Sequence, residues 1–593
     1  MDPIKVDFSG KGKPKEVVIP PEKKVLKIII CILATIIGGC ITYYFMLPAI
    51  NFKELEFYYF IGILIAIYIA MTFITSKAFA KPEYVPYVKK QSIVPLAIGL
   101  VFALVLGIGY LVSAPLFRAN AYSKIIEVTE EEFGAGDSIT TIDSLEDFGT
   151  VPMIDKDVAF NLANKSLGEL SDWVSQFVID ETYSTQVNFE GQPYRIFPLK
   201  YGDVFKWIKN TQEGFPAYVR VNMYTQKAEV VVLEKPIQVS TGEYLNERLD
   251  RVLRFNFPTY MFGTPSLEIN EAGEPYWVCE YYDKTIGLIG GRDVKGVVLV
   301  NACDKNDIVD FDDIEALKSN KEYSWIDQIY SDDLLIEQYN YYGKYIGGFF
   351  NAYIGQTGVK TTTTGSSYIA SGDDVWLYTG VTSVTSDDSI IGFAIINQRT
   401  KEAVFQEISG TTENGAQNSA QSIVSDKGWQ ATFPLLLNID GEATYFMALK
   451  DNNVVKSYAM VSVERVQDAV RSQDDAKPDL EDCLKSYVSV IKSSTKRELK
   501  IDYNTPGGNA DSGAQTDNTE NQYAEVTGVI TDIRTAVVNG NSIYYFALDG
   551  NPVYYSISTA EDDLVVILNE GDTIKISYVA GEEAIVTAKS ISK

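Results

Sequence analysis

Three apolar runs near the N-terminus constrain this chain more than any other feature. They are VLKIIICILATIIGGCITYYFMLPA (25–49), FYYFIGILIAIYIAMTFITS (57–76) and IVPLAIGLVFALVLGIGYLVSA (93–114). About 20 apolar residues in a helix cross a hydrocarbon core of about 30 Å. Buried helices of a soluble protein are the competing reading, and the length and purity of the runs argue against it. A cleaved signal peptide fits no better: the first run is too long, and Gly38, Gly39 and Cys40 lie inside it rather than after it. Gly38, Gly39, Gly62, Gly99, Gly107 and Gly109 would let such helices pack closely.

The flanks give a direction. Lys5, Lys11, Lys13, Lys15, Lys23 and Lys24 precede the first run, and Lys77, Lys81, Lys89 and Lys90 surround the second loop. The first loop, NFKELE, is slightly acidic. The positive-inside rule then makes the N-terminus and the second loop cytoplasmic. Three crossings put everything after Arg118 outside. The expected layout begins with a cytoplasmic N-terminus (1–24) and three transmembrane helices (25–115) in the plasma membrane, so the lipid bilayer is the first expected partner.

Charge follows the same division. Of 51 Lys/Arg and 79 Asp/Glu, 12 and 7 lie up to Pro115, leaving 39 and 72 for the rest. An acidic body repels phosphates, which argues against nucleic acid as a partner. There is no histidine, so Ser-His-Asp and Cys-His catalysis and His-ligated zinc are ruled out. The five cysteines, Cys31, Cys40, Cys279, Cys303 and Cys483, show no CxxC spacing, which argues against Cys-based zinc.

One pattern recurs in the body. EGQPYRIFPLKYG (190–202), GEPYWVCEYYDK (273–284), DGEATYFMALKD (440–451) and DGNPVYYSIS (549–558) each lead from a polar, Gly-containing turn into alternating aromatic and aliphatic residues. Alternation places one face of a strand inward, and Asp440-Gly441 is a strong hairpin signal. The pattern is expected to build sheets; a binding groove lined by YWVCEYYDK is the rival reading.

The layout continues with an acidic linker (116–150), a first α+β module (151–238), a second (239–330), a mostly β third module with a helix (331–500), a flexible linker (501–522) and a β-barrel (523–593). The first module has helical spacing at Val158, Leu162, Leu167 and Leu170, with Asp155 as N-cap, followed by strands and a turn near Thr225-Gln226-Lys227. In the second module Leu245, Leu249 and Val252/Leu253 share a helix face. The third has strands, a helix over TENGAQNSAQSIVSDKG closed by Gly428, and the Asp440-Gly441 hairpin.

The order helix, strand, strand, with VNMYTQKAEVV (221–231) at the turn, resembles the PepSY family of extracytoplasmic modules. Their turn reads VDAxTGEV; here Gln226 replaces the Gly. The resemblance implies envelope localisation and modulation of a secreted protease. The five strand runs after Tyr523 resemble an OB-fold barrel. Such barrels bind oligonucleotides or sugars, but 4 Lys/Arg against 10 Asp/Glu leave no basic groove, so a protein or glycan surface is the expectation.

Little catalytic chemistry is visible, and no catalytic residue or cofactor is assigned. DKNDIVDFDDIEAL (304–317) supplies a calcium candidate in Asp304, Asn306 and Glu315, with Val309 where an EF-hand loop needs Gly. A solvated turn before a capped helix competes with it. Cys279 and Cys303 lie on successive strand runs, so a disulfide is geometrically open outside the cell, against two buried thiols. The fold class expected is a membrane-anchored α+β protein: three N-terminal helices, tandem helix-on-antiparallel-sheet modules and a five-stranded OB-like barrel. The function expected is a non-enzymatic binding or scaffold protein of a bacterial cell envelope, with a protein partner or a second copy at the surface. Two alternatives are a subunit of a larger envelope or secretion assembly and a His-independent carboxylate hydrolase of envelope glycans.

Overall fold

The computed structural model describes residues 18–134, 141–170, 173, 175–210, 213–372, 374–384, 389–473, 477–503, 524–538, 541–551, 553–558, 564–565, 568–578 and 585–592. Lys5 to Lys15 and most of the 501–522 linker lie outside these residues, as does most of 560–567, where the sequence between the barrel's strand runs suggests a short helical piece. The chain forms two units, 1–506 and 507–593.

The apolar runs are helices Lys24–Met46, Leu55–Ser76 and Pro82–Ser113, each long and apolar enough to cross a membrane. Gly38 and Gly39 face Ile67 and Leu64, and Gly99 faces Ile65, so these three sit at helix–helix contacts. Gly62 and Gly107 have open space around them.

The ends of these helices are tied to the body. Ile50 N–H donates to the Pro258 carbonyl at 2.7 Å, and Lys53 pairs with Asp283 at 2.6 Å. Arg251 Nε donates to the Tyr44 carbonyl at 3.2 Å and Arg254 Nε to the Leu47 carbonyl at 2.9 Å. Both arginines are buried; they satisfy carbonyls that a helix C-terminus leaves unpaired and complement its dipole. At the third helix, Ser113 Oγ accepts from Leu288 N–H (3.0 Å) and Ile289 N–H (3.1 Å). The first loop and the end of the third helix therefore face the body, and the lysine-rich second loop is at the other end.

Among the described residues four larger antiparallel-rich sheets and a two-stranded one, Phe177–Ile179 with Leu199–Tyr201, build the body. The first runs Thr185–Phe189, Gln192–Phe197, Phe215–Asn222, Ala228–Ile237 in order. The second contains Met261–Phe262, Ser266–Ile269 and the long hairpin Pro275–Ile286/Gly290–Asn301, edged by Ile308–Phe311. The third sheet is built on Lys360–Thr362, Ser367–Ser371, Asp374–Ser383, Ser389–Asn397 and Ala403–Thr411. The fourth is built on Gln430–Ala431, Leu435–Ile439, Glu442–Asp451, Val454–Ser462 and Ala469–Arg471.

The recurring turn motif makes sheet hairpins. Gly191, Gly273, Gly441 and Gly550 all have φ between 73° and 78°, a conformation that glycine adopts without strain. In the strand that follows Gly273, Trp277, Cys279 and Tyr281 are all buried. Gln226, standing where the PepSY turn has Gly, also takes positive φ, at 60°.

Four expectations need correction. The 116–150 segment is not a linker. Val128–Glu132 pairs in parallel with Ala403–Thr411, and Thr141–Ile142 with Leu435–Ile439. Its acidic side chains are exposed along an edge strand, Glu130 reaching Tyr342 and the buried Lys360, while Ile142 and Phe148 are buried. The modules are also not separate beads: one hydrophobic core runs from Ile142 to Leu499, because the sheets bury their apolar faces together. The third module contains two sheets and three helices of ten or more residues (Asp332–Tyr345, Glu413–Ser422, Leu480–Thr495), not one helix. Finally, Leu245 does not share the helix face of Leu249 and Leu253. It lies in a 3₁₀ turn with φ 52° and is exposed, and the helix starts at Leu249.

The second unit contains a closed barrel in the order Ala524–Val538, Asn541–Leu548, Tyr554–Ser558, Ile585–Ser592, Thr573–Tyr578. Tyr554–Ser558 and Ile585–Ser592 run parallel, and the other neighbours are antiparallel. Phe546, Tyr555, Ile574 and Ile576 fill its core.

Candidate functional site

A cavity of about 480 Å³ opens where the first and second sheets meet parts of the third and fourth. Arg195 lines it, and alternation along Gln192–Phe197 explains why. Arg195 shares its strand face with Phe197, on the inward phase, so the guanidinium is carried inside and is only 6% exposed. Its Nη1 donates to the Ser184 hydroxyl at 3.2 Å and less closely to the Ser184 carbonyl. Its Nε is buried and has no partner among the described residues. No carboxylate forms an ion pair with it among the described residues. Burial lowers its pKa, while the charges of Tyr368, Asp332, Asp155 and Glu181 oppose that fall. Gln186, on the adjoining strand and opposite Arg195 in register, lines the same cavity with its own Nε2 unpartnered among the described residues.

The remaining wall is rich in hydroxyls: Ser184, Thr185, Ser266, Ser331, Ser367 and Thr432. Aromatic surface comes from Tyr183, Tyr368, Phe433 and Phe446. Asp332 stands in the first turn of Asp332–Tyr345, where the helix dipole favours a carboxylate. It accepts from Gln398 Nε2 at 2.6 Å and from the Tyr368 hydroxyl. Burial nonetheless raises its pKa. Asp155 caps its helix through Val158 N–H at 3.0 Å and pairs with the buried Lys450. Asp155 and Asp332 are thus already engaged by protein groups, and Asp333, exposed in the same first turn as Asp332, is a third carboxylate of the lining.

A row of buried acids lies behind the cavity wall. Glu268 accepts from Asp327 N–H (2.7 Å), Gln328 N–H (3.2 Å) and Ser266 Oγ (2.8 Å). Asp327 accepts from Asn188 N–H at 2.6 Å. Burial, then repulsion from Glu268, pushes Asp327 well above the usual carboxylate range, which favours a neutral acid there. Glu280 accepts from Tyr282 Oη–H (2.7 Å) and Ser331 N–H (3.1 Å), and burial raises its pKa from 4.5 to about 7.

Glu280 makes a pH prediction. Its folded pKa lies above its unfolded one, so the fold favours the protonated form. The stability that this contributes is complete below pH 4.5 and is lost as pH rises through 7. Glu280→Gln can keep both hydrogen bonds with its amide oxygen toward Ser331 and its amide nitrogen toward Tyr282. Thermal melts across pH 4.5–7.5 should show a falling melting temperature in the parent chain and a shallower fall in the variant.

No family model matches the chain, and no curated protein matches it. A similar solved structure, an α-L-arabinofuranosidase from Lactobacillus brevis, is 7% identical with a TM-score of 0.16. The alignment covers 68% of this chain and 92% of that one. A TM-score that low carries no argument about fold or activity.

The residues singled out from sequence fall elsewhere. Asp304 closes its own turn by accepting from Asn306 N–H at 3.0 Å, whereas Glu315 pairs with Lys318 at 3.0 Å on the helix capped by Asp313. Of the calcium candidates Asp304 and Asn306 share one turn while Glu315 is engaged with Lys318 on the following helix, and no cluster of three metal-ligating acids or thiols occurs among the described residues. The disulfide expectation is overturned. Cys279 lies opposite Val298, Cys303 lies beyond the strand end at Asn301, and both thiols are free. Arg195 escaped sequence analysis, although a lone arginine on the inward phase of PYRIF was a signal. The cavity's other groups come from segments too far apart in sequence to be associated.

Proposed function

We propose that this chain is a membrane-anchored, non-enzymatic binding protein whose cavity at Arg195 receives a small organic carboxylate bearing hydroxyl groups, such as an acidic sugar. The observation that carries the reading is the buried Arg195 guanidinium, which lines a hydroxyl-rich cavity with Nε unpartnered and no ion pair among the described residues. A guanidinium fork matches a carboxylate, and such charge-assisted bonds are among the strongest available. The hydroxyl wall suits a polyol, and the aromatic surfaces suit the apolar face of a sugar ring.

The lysines at the end of the helices remote from the body support an orientation with that end cytoplasmic and the body extracellular. The positive φ of Gln226 and the packing of Lys156–Gly168 on Phe215–Asn222 and Ala228–Ile237 favour the PepSY-like reading of the first module. The barrel's strand order, with its third and fifth strands parallel, favours an OB-like reading. Its acidic balance suits a docking head for protein rather than nucleic acid. A protein partner or second copy at the cell surface would engage there.

Calorimetry on the full chain in detergent tests the site, with galacturonate, its neutral counterpart galactose and a short acetylated peptide with a free C-terminus. Galacturonate should bind and galactose should not; peptide binding instead would reassign the carboxylate's source. Arg195→Met should weaken carboxylate binding about 10- to 100-fold, the loss expected for one hydrogen bond to a charged group. Equal binding of galacturonate and galactose, or unchanged affinity in the variant, would remove the site.

A further inference from the structure

We infer that the base of the body is seated in the lipid interface as an apolar collar, rather than held clear of the bilayer by the three helices. The inference goes beyond the cavity and rests only on those helices spanning a membrane. Three separate elements around the helix ends carry the required residues.

The first is the helix Leu249–Asn256 with the turn before it. The Phe255 ring lies 5.9 Å from that of Tyr43 and 6.2 Å from that of Tyr44, one turn inside the end of the first membrane helix. Phe255 is 54% exposed, and so is Leu245 to a similar extent. The Tyr44 hydroxyl donates to Asn246 at 3.1 Å, which fixes this segment at the depth of the helix end. The second element is the hairpin tip Gly287–Gly290. Leu288 reaches back along the third helix to Gly109, where an added Cβ would lie 3.0 Å from its side chain. Gly109 is one turn inside Ser113, so the hairpin tip also lies below the end of its helix.

The third element continues directly from the third helix. Pro115–Tyr122 packs under residues 345–352 through Tyr122, Tyr345 and Ala352. On the outer side of this pair Phe117, Phe350 and Ile354 are 64%, 70% and 79% exposed. Arg118 and Lys124 are exposed beside them, and Lys344 lies over the Tyr353 ring at 4.7 Å. Apolar side chains edged by aromatic hydroxyls and cations are the composition of surfaces that lie in a membrane interface. In water such residues would form an exposed apolar patch that soluble proteins avoid. Here the surface is continuous with the exposed apolar sides of helices Lys24–Met46 and Pro82–Ser113, and the occupant that covers those sides also covers the collar. That occupant is lipid.

Depth-dependent quenching tests this. A fluorescent amino acid is placed singly at Phe255, Phe350, Phe45 or Val454 in the full chain, reconstituted in phosphatidylcholine–phosphatidylglycerol bilayers with lipids spin-labelled near the headgroup. Phe45 reports the membrane helix, and Val454 is an exposed apolar residue in the fourth sheet, which makes none of these contacts. Quenching at 255 and 350 should come within about two-fold of that at 45, as for side chains sunk to the headgroup boundary, and should clearly exceed that at 454. If 45 is quenched while 255 and 350 match 454, the collar is wrong and the body stands clear of the lipid. If a second copy shields 255 and 350, crosslinking at those positions will join two chains, and the collar is equally wrong. If 45 is not quenched, the spanning assignment fails first and takes the collar with it.

Discussion

Replacing Phe148 with alanine should lower the stability of the first unit by about 3–5 kcal/mol, the range for deleting a fully buried aromatic ring. Phe148 has no exposed surface, and its ring meets that of Phe446 edge-on at 5.8 Å. The backbone around it is held as well. Asp147 accepts from Asp143 N–H (2.9 Å) and Ser144 N–H (2.7 Å), closing the turn that delivers Phe148 into the core. Relaxation into the cavity is therefore limited, which keeps the cost toward the upper part of the range. Phe148→Leu keeps most of the volume and should cost less than about 2 kcal/mol. Denaturant or thermal unfolding in detergent checks both. A neutral alanine variant would show that the 116–150 segment is a tether after all.

Arg254→Ala should cost about 1.5–3 kcal/mol, the range for hydrogen bonds made by a charged group. One guanidinium serves four carbonyls: Leu47 (2.9 Å), Tyr260 (2.6 Å), Phe257 (3.4 Å) and Pro258 (3.5 Å). Without it the Leu47 and Tyr260 carbonyls lose this donor, while Pro258 keeps Ile50 N–H and Phe257 keeps Tyr260 N–H, and the end of the first membrane helix loses a favourable charge. Arg254→Lys keeps the charge but not the planar fork, and should recover less than half of the loss. Arg248→Ala is the control. Arg248 is about half exposed and pairs with Asp250 at 3.0 Å, so its loss should cost less than about 1 kcal/mol. Limited proteolysis gives a second reading: the 257–265 segment should be cut faster in Arg254→Ala than in the parent or the control. Equal behaviour of the two alanine variants would mean that the helix and the body are not coupled through Arg254.

What could be read from the sequence was local. The membrane helices, the hairpins at Asp440-Gly441 and Glu190-Gly191, and the Asp155 cap each depend on fewer than about 20 neighbouring residues, and periodicity and turn chemistry report on that range. Long-range pairing left no such trace. VTEEE looks like solvated chain because its acidic side chains are indeed outside; only Ala403–Thr411, far along the sequence, makes it a strand. Leu245 misled for the opposite reason, since helical spacing continued one turn beyond the point where the backbone leaves the helix. The cavity shows the same limit. Arg195, Asp332 and Tyr368 lie on three separate elements, and nothing in any one of them announces the other two. The Cys279–Cys303 expectation failed on register: the hairpin sets Cys279 against Val298, and Cys303 lies beyond the end of that strand at Asn301.

The parallel pairing of Val128 with Ala403, 275 positions later, has a consequence for biosynthesis. A ribosome adding about 5–20 residues per second needs roughly 14–55 s to make the partner after the first strand emerges. Throughout that time the nascent polypeptide carries Val128–Glu132 without the strand it pairs with, and the aromatic-rich hairpin Pro275–Ile286/Gly290–Asn301 is made before the third and fourth sheets are complete. Translation has to pass residue 411 before that pairing can be completed, so shorter products lack the strand on which Val128–Glu132 pairs.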